Sequence, residues 1–107
     1  MTDAVVVLTT LASEDEAVPF VRALLDEHLI ACGTILPRAR SLYRWEGQVA
    51  DETEVVVLLK TARERLAALE AAFGQLHPYR VPELLALPVQ HGLARYLDWI
   101  ATETDPA

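Results

Sequence analysis

Residues 55–59 read Val-Val-Val-Leu-Leu, five apolar side chains in succession. A strand with one wet face alternates apolar and polar residues, whereas an unbroken apolar run calls for cover on both faces. The chain has 107 residues, enough for one ordinary domain but short of material to cover a sheet twice. Helices of the same chain can cover one face. The other face then needs a last helix, curvature of a hairpin, or a second subunit, and a second subunit is the simplest cover.

The rest of the chain places this run in an element order. Residues 4–10 (AVVVLTT) are β-branched and read as a first strand. Ser13 and Glu16 have the spacing of a capping box. Val18, Val21, Leu25 and His28/Leu29 then give one apolar helical face. Pro19 lies beyond the first turn from Ser13, so it kinks this helix or moves its regular part to near Val18. Residues 30–36 form a second apolar segment, and Ser41, Tyr43 and Trp45 alternate with Leu42 and Arg44. Glu46-Gly47 is a two-residue turn. Residues 48–60 return as a third strand, so 31–45 and 48–60 make one long hairpin, bent where Pro37 lacks a donor.

Thr61 and Glu64 suggest a second capping box, with Ala62, Leu66, Leu69, Phe73 and Leu76 as the apolar stripe of the helix behind it. His77-Pro78 stops that helix. After a Pro78–Pro82 loop, residues 83–89 read as a fourth strand. Gly92 precedes a last helix with Leu93, Tyr96, Leu97 and Ile100 on one face, and residues 102–107 read as a loose tail. The order β-α-β-β-α-β-α is α+β, its first six elements forming a ferredoxin-like split βαβ arrangement. One domain spans 1–107, with an ordered core over about 4–101.

Composition removes several classes. A formal net charge of −7 repels phosphate backbones and argues against nucleic acid. The single cysteine, Cys32, excludes an internal disulfide and fits a reducing, cytoplasmic compartment. The apolar run 4–8 is too short for a membrane span and has no basic residue before it, so neither a membrane nor a signal peptide is expected.

Several dispersed pieces form a wider pattern. Ala31-Cys32, Pro37, Ser41, Tyr43, Trp45 and Gly47 follow one another at the spacing A-C-x4-P-x3-S-x-Y-x-W-x-G. Glu54 with Lys60-Thr61, then His77-Pro78-Tyr79 with Pro82-Glu83, then Leu87-Pro88-Val89 and Tyr96 with Trp99 complete it. In this pattern, from residue 4 to about 101, the chain resembles the CutA divalent-cation-tolerance family. The resemblance implies a homotrimer of ferredoxin-like subunits whose edge strands pair between subunits. It also implies a fold similar to the PII signalling proteins, and an association with divalent cations, above all copper, with no enzymatic reaction.

Side-chain chemistry nominates the site residues. Cys32 offers a soft thiolate suited to Cu(I), and imidazole suits Cu(II) or Zn. Cys32 and His77 are therefore the candidate metal ligands. Cys32 read blandly is a small buried strand residue, and His77 a helix-terminal side chain bonded to free carbonyls. His28 and His91 read as helix-end and turn residues. No H-x3-H or C-x2-C spacing occurs, so any metal site draws on distant segments or on neighbouring subunits. Lys60, Tyr79 and Glu83 are candidates for binding a small ligand in a cleft between subunits, as a PII-like module would, with Arg80 beside them. Lys60 could hold an anion near a helix start; an ion pair with Glu54 or Glu83, across the sheet or an interface, is the favoured reading. Tyr43 and Trp45 read as packing residues. Glu54 and Glu83 could do acid–base work, but no nucleophile, substrate pocket or catalytic motif names a reaction, and a stable trimeric scaffold without a ligand is the third reading.

Overall fold

The structure, a computed structural model, describes residues 2–106. Its elements are β1 (Ala4–Leu11), α1 (Glu14–Asp26), β2 (Cys32–Trp45), β3 (Gln48–Ala62), α2 (Leu66–Leu76), β4 (Leu85–Pro88) and α3 (Ala94–Glu103), with one 3-10 turn at Arg63–Arg65 before α2. The strands form one antiparallel sheet in the order β2-β3-β1-β4. This is the expected ferredoxin-like α+β order with an added C-terminal helix.

The β2–β3 hairpin sets the shape. Glu46 (φ 49°) and Gly47 (φ 80°) occupy the left-handed region at its tip, between the paired residues Trp45 and Gln48. Two positive φ values in a two-residue loop match the right-handed twist of the strands that it joins. At Pro37 the ladder slips: Leu36 pairs with Val56 but Ala39 pairs with Glu54, so Pro37 and Arg38 face the single residue Val55. Arg38 takes φ 60° in this bulge. Strand β1 pairs only with residues 55–62 of β3. The outer half of the hairpin therefore runs on alone and draws the molecule out to 44 × 26 × 22 Å.

Strand parity separates the two sheet faces. On one face Val5, Val7, Thr9 and Leu11 lie beside Val55, Val57, Leu59 and Thr61, all buried. Ala17, Phe20, Val21 and Leu24 of α1 and Leu69, Ala72 and Phe73 of α2 cover them. Helix α1 comes so close to β2 that a Cβ on Gly33 would lie 2.6 Å from Val21 Cγ1. On the other face lie Val6, Leu8, Val56, Leu58, Cys32, Thr34 and Leu36. Helix α3 covers only one end of it, where Ile100 and Leu97 pack on Ala4, Ala31 and Val89. Leu36, Leu85 and Leu87 of this face are each about half exposed.

Several local expectations are corrected. Helix α1 begins at Glu14, capped by Ser13 Oγ accepting from the Glu16 N–H at 3.3 Å, and runs through Pro19. Pro19 is exposed, so the carbonyl that loses its donor there faces the wet side of the helix. Its buried face is Ala17, Phe20, Val21 and Leu24; Val18 and Leu25 of the expected stripe are exposed. Thr61 is no cap. It pairs with Val5 within the sheet, is fully buried, and donates its hydroxyl to Leu29 O at 2.7 Å. Ala62 ends β3, and α2 has no side-chain cap. Leu76, Leu93 and Tyr96 are exposed, and β4 is shorter than 83–89. The expected loose tail is ordered to Thr104, which is buried and donates Oγ1–H to Ile100 O at 2.8 Å. His28 (φ 56°) anchors the same helix end, its Nδ1 lying 3.0 Å from Glu103 O.

Candidate functional site

An open cleft of about 680 Å³ lies between the outer hairpin and the loop that follows α2. The hairpin supplies Arg40, Tyr43, Trp45, Glu52 and Glu54; the loop supplies Tyr79, Arg80 and Glu83; Thr10, next to the end of β1, also lines it. The hairpin register aims the first wall. Tyr43 pairs with Ala50 and Ser41 with Glu52, so Tyr43 and Glu52 are diagonal neighbours on one face, and the Tyr43 hydroxyl donates to Glu52 Oε1. The Tyr79 hydroxyl donates to Glu54 Oε2 at 2.7 Å, bridging loop and hairpin. Glu54 is buried, and this phenol is the group that satisfies it.

Both phenols hold their protons firmly. Burial, and then the Glu54 hydrogen bond and charge, pushes Tyr79 far above the ordinary phenol range. The hydrogen bond to Glu52 raises Tyr43. Arg40 closes one side through two bonds to Asp51, at 2.9 and 2.7 Å, and this pairing holds the Asp51 carboxyl below its usual range. Arg80 lies 5.3 Å over the Trp45 ring and reaches Glu46 at 3.4 Å. Tyr43 and Trp45, expected to pack, are instead cleft walls, each about two-fifths exposed.

His77 anchors the loop from beneath. It caps α2 and is buried between Phe20, Phe73 and Tyr79, with ring centroids 5.2, 5.6 and 4.9 Å away. Its Nδ1 accepts the Tyr79 backbone N–H at 3.1 Å. The ring proton therefore sits on Nε2, which lies 3.0 Å from Thr10 O and 3.2 Å from Thr9 Oγ1. Burial lowers its pKa; the Thr10 hydrogen bond and the charges of Glu16 and Glu54 oppose that shift without reversing it.

Cys32 and Lys60 form a second, separate cluster. They are cross-strand partners on the uncovered face. Lys60 Nζ donates to Thr34 Oγ1 at 2.9 Å and lies 3.6 Å from Cys32 Sγ. The expected partnership of Lys60 with Glu54 is not made within the chain: the two are six residues apart on β3, about 20 Å, and Glu54 is taken by Tyr79. Lys60 is likewise not part of the cleft that holds Tyr79 and Glu83.

Cys32 and His77 are not brought together either. Lys60, and with it Cys32, is level with Val6 of β1, whereas His77 binds at Thr9 and Thr10. That is about 10–14 Å along the strand. Among the described residues no three His, Cys, Asp or Glu side chains converge as a metal-holding group. His91 has no part in the cleft. Sequence reasoning missed Arg40 and Glu52; the turn at Glu46-Gly47 fixes the register that sets Glu52 opposite Ser41 and diagonal to Tyr43.

Comparison with known proteins shows the family and the fold. Residues 5–103 match the family described as CutA1 divalent ion tolerance protein. The chain belongs to the CutA1 family. The divalent-cation tolerance protein CutA of Thermus thermophilus is 42% identical over 99 residues, covering 92% of this chain and 96% of that one. The crystal structure of CutA from Xylella fastidiosa superposes with a TM-score of 0.93 at 39% identity, covering 97% of this chain and all of the other. A CutA from Archaeoglobus fulgidus, described as periplasmic, gives a TM-score of 0.91 at 31% identity over 95% of this chain and 99% of its own. The CutA1 fold thus accounts for nearly the whole chain. Among the described residues no helix is long and apolar enough to cross a membrane.

Proposed function

We propose that this CutA1 protein works as a cytoplasmic homotrimer that binds copper or another divalent cation, without catalysing a reaction. The uncovered sheet face carries the proposal. Val6, Leu8, Val56 and Leu58 lie on it beside the half-exposed Leu36, Leu85 and Leu87, an apolar surface that copies of the chain would cover. Cys32 lies on the same face, next to where a neighbouring copy would sit. Its sulfur is the ligand of choice, completed by groups of other subunits. His77 ranks below it, because both its ring nitrogens already have protein partners.

Two measurements test this reading. Sedimentation equilibrium is expected to give three times the 11.8 kDa chain mass; a monomer at micromolar concentration rejects the assembly. Calorimetry with Cu(II) and Zn(II) is expected to show weaker binding for Cys32→Ser than for wild type and His77→Ala. Equal affinity in all three proteins rejects the thiol ligand.

The cleft favours a second reading, a PII-like module holding a small anionic ligand. Tyr79, Arg80 and Glu83 line it together, while Lys60 would enter only from a neighbouring subunit. Thermal shifts with a panel of nucleotides and organic acids, repeated on Arg80→Ala and Lys60→Ala, separate the two readings. No stabilisation by any compound in wild type removes this one. If metals too leave the stability unchanged, the stable scaffold is the reading that survives.

A further inference from the structure

We propose that the cleft is a binding site for a small organic cation carrying primary ammonium groups, with Glu54 as its anchor and Tyr43, Trp45 and Tyr79 as its aromatic walls. The buried carboxylate carries this. Glu54 is only 6% exposed. Its Oε2 accepts the Tyr79 hydroxyl at 2.7 Å, while its Oε1 has no donor among the described residues. No fully buried side-chain oxygen among those residues lacks a partner. Oε1 is therefore the atom through which Glu54 meets the cleft that it lines. An ionised carboxylate only accepts, so a donor completes Oε1, and an ammonium is a donor that also answers its charge.

The rest of the lining selects the sign of the ligand's charge. Both arginines already face carboxylates: Arg40 binds Asp51 through two bonds, and Arg80 reaches Glu46 at 3.4 Å. Both phenols donate to carboxylates, Tyr43 to Glu52 and Tyr79 to Glu54. By contrast, Glu52, Glu54 and Glu83 have no cationic partner among the described residues. An anion in this cleft would meet three carboxylates whose charge nothing offsets. The aromatic walls favour the same sign. Tyr43 and Trp45 are each about two-fifths exposed, and the Arg80 guanidinium already lies 5.3 Å over the Trp45 ring. That contact shows the wall receiving a cation. With the Tyr79–Glu54 bond, it also ties the loop to the hairpin, so the cleft is held in shape from both sides.

The spread of the carboxylates favours an extended cation over a metal ion. Glu52 and Glu54 are two residues apart on β3, about 7 Å, and Glu83 comes from the loop. Among the described residues no three such groups converge. A short chain with an ammonium at each end can meet Glu54 and a second carboxylate together, its methylenes lying on the aromatic rings. This site is separate from Cys32, and its ligand has the charge opposite to that of the PII-like reading.

The test titrates the full-length protein with diaminobutane at low ionic strength, where exposed charges are least screened. Calorimetry gives the affinity, and NMR is expected to show the Trp45 indole N–H shifting while that of Trp99, outside the cleft, stays in place. Glu54→Gln keeps an acceptor for the Tyr79 hydroxyl but loses the charge, and is expected to weaken binding about tenfold or more. Glu83→Gln, on the exposed loop, is expected to weaken it about two- to fivefold. Glu70→Gln removes an equal charge from the exposed side of α2, away from the cleft, and is expected to leave the affinity unchanged. Butanediol, which lacks the charge, and tetramethylammonium, which lacks the N–H, are expected to bind more weakly than the diamine. No binding of the diamine at millimolar concentration overturns the proposal. So do equal losses in Glu54→Gln and Glu70→Gln, and so does butanediol or tetramethylammonium matching the diamine. If Glu54→Gln does not fold, Glu83→Gln against Glu70→Gln decides in the same way. The metal proposal reads on Cys32→Ser and this one on the cleft carboxylates, so each can fail alone.

Discussion

The two faces of the central sheet are built by the same strands, from similar residues, and differ in what lies on them. In β3, Val55, Val57 and Leu59 are buried beneath α1 and α2, while Val56 and Leu58 between them are only partly covered. In β1, Val5 and Val7 are buried and Val6 and Leu8 are not fully so. Hydrophobic composition does not distinguish the faces; position relative to the helices does. An apolar side chain contributes to stability only through the area that a neighbour removes from water. The covered face thus stabilises the single chain, and the open face has that contribution in reserve for an assembly.

Substitutions on paired positions sharpen the contrast, starting with the largest. Leu59→Ala removes a fully buried side chain from the covered face and is expected to cost about 3 kcal/mol in urea unfolding. Leu58→Ala, one residue along, should cost clearly less at concentrations where the chain is monomeric; equal costs would break the distinction. Gly33→Ala sets a methyl group 2.6 Å from Val21 Cγ1 and is expected to cost about 1–3 kcal/mol, visible as a lower Tm. Thr61→Val keeps the shape but leaves Leu29 O without its 2.7 Å donor, for an expected loss of about 1–2 kcal/mol in the same unfolding measurement. Leu36→Glu acts on the open face. It is expected to change single-chain stability by no more than about 0.5 kcal/mol, yet to lower the mass seen by sedimentation. An unchanged mass would mean that this part of the face lies outside the interface.

The smallest effect is the pH response of His77, whose pKa burial lowers in the folded protein. Below the unfolded value, near 6.5, the unfolded chain binds more protons at this position than the folded chain does. Stability is then full above about pH 6.5, falls as pH drops toward the folded pKa, and is level below it. Urea unfolding at several pH values should show that slope in wild type and a shallower one in His77→Asn. A slope of opposite sign would mean that Glu16 and Glu54 outweigh burial.

Much of the fold was legible because the signals were local. A cap such as Ser13 acts three residues away, and a bend at Pro37 follows from one missing N–H. A two-residue loop at Glu46-Gly47 sets the register of a whole hairpin. Thr61 shows where this fails. Its spacing to Glu64 is that of a cap, but the carbonyl of Leu29, far away in sequence, takes its hydroxyl. The α1 stripe fails in a related way. Val18, Val21 and Leu25 and the set Ala17, Phe20, Val21 and Leu24 both recur at helical spacing, and only contact with Phe73 decides between them.

The site was less legible for the same reason. Cys32, Lys60, His77, Tyr79 and Glu83 stand out by type, but which of them meet depends on sheet register and strand parity. Those place Lys60 with Cys32 and Thr34, and Tyr79 with Glu54 over His77. The sequence by itself determined the element order, the hairpin with its turn and bend, and the presence of more apolar strand surface than two helices can cover. These follow from period, capping and turn chemistry, which act over a few residues. Only the tertiary structure decided which polar groups share a cleft, how the protons of His77 are arranged, and which face stays open. Each of these depends on segments tens of residues apart in the chain.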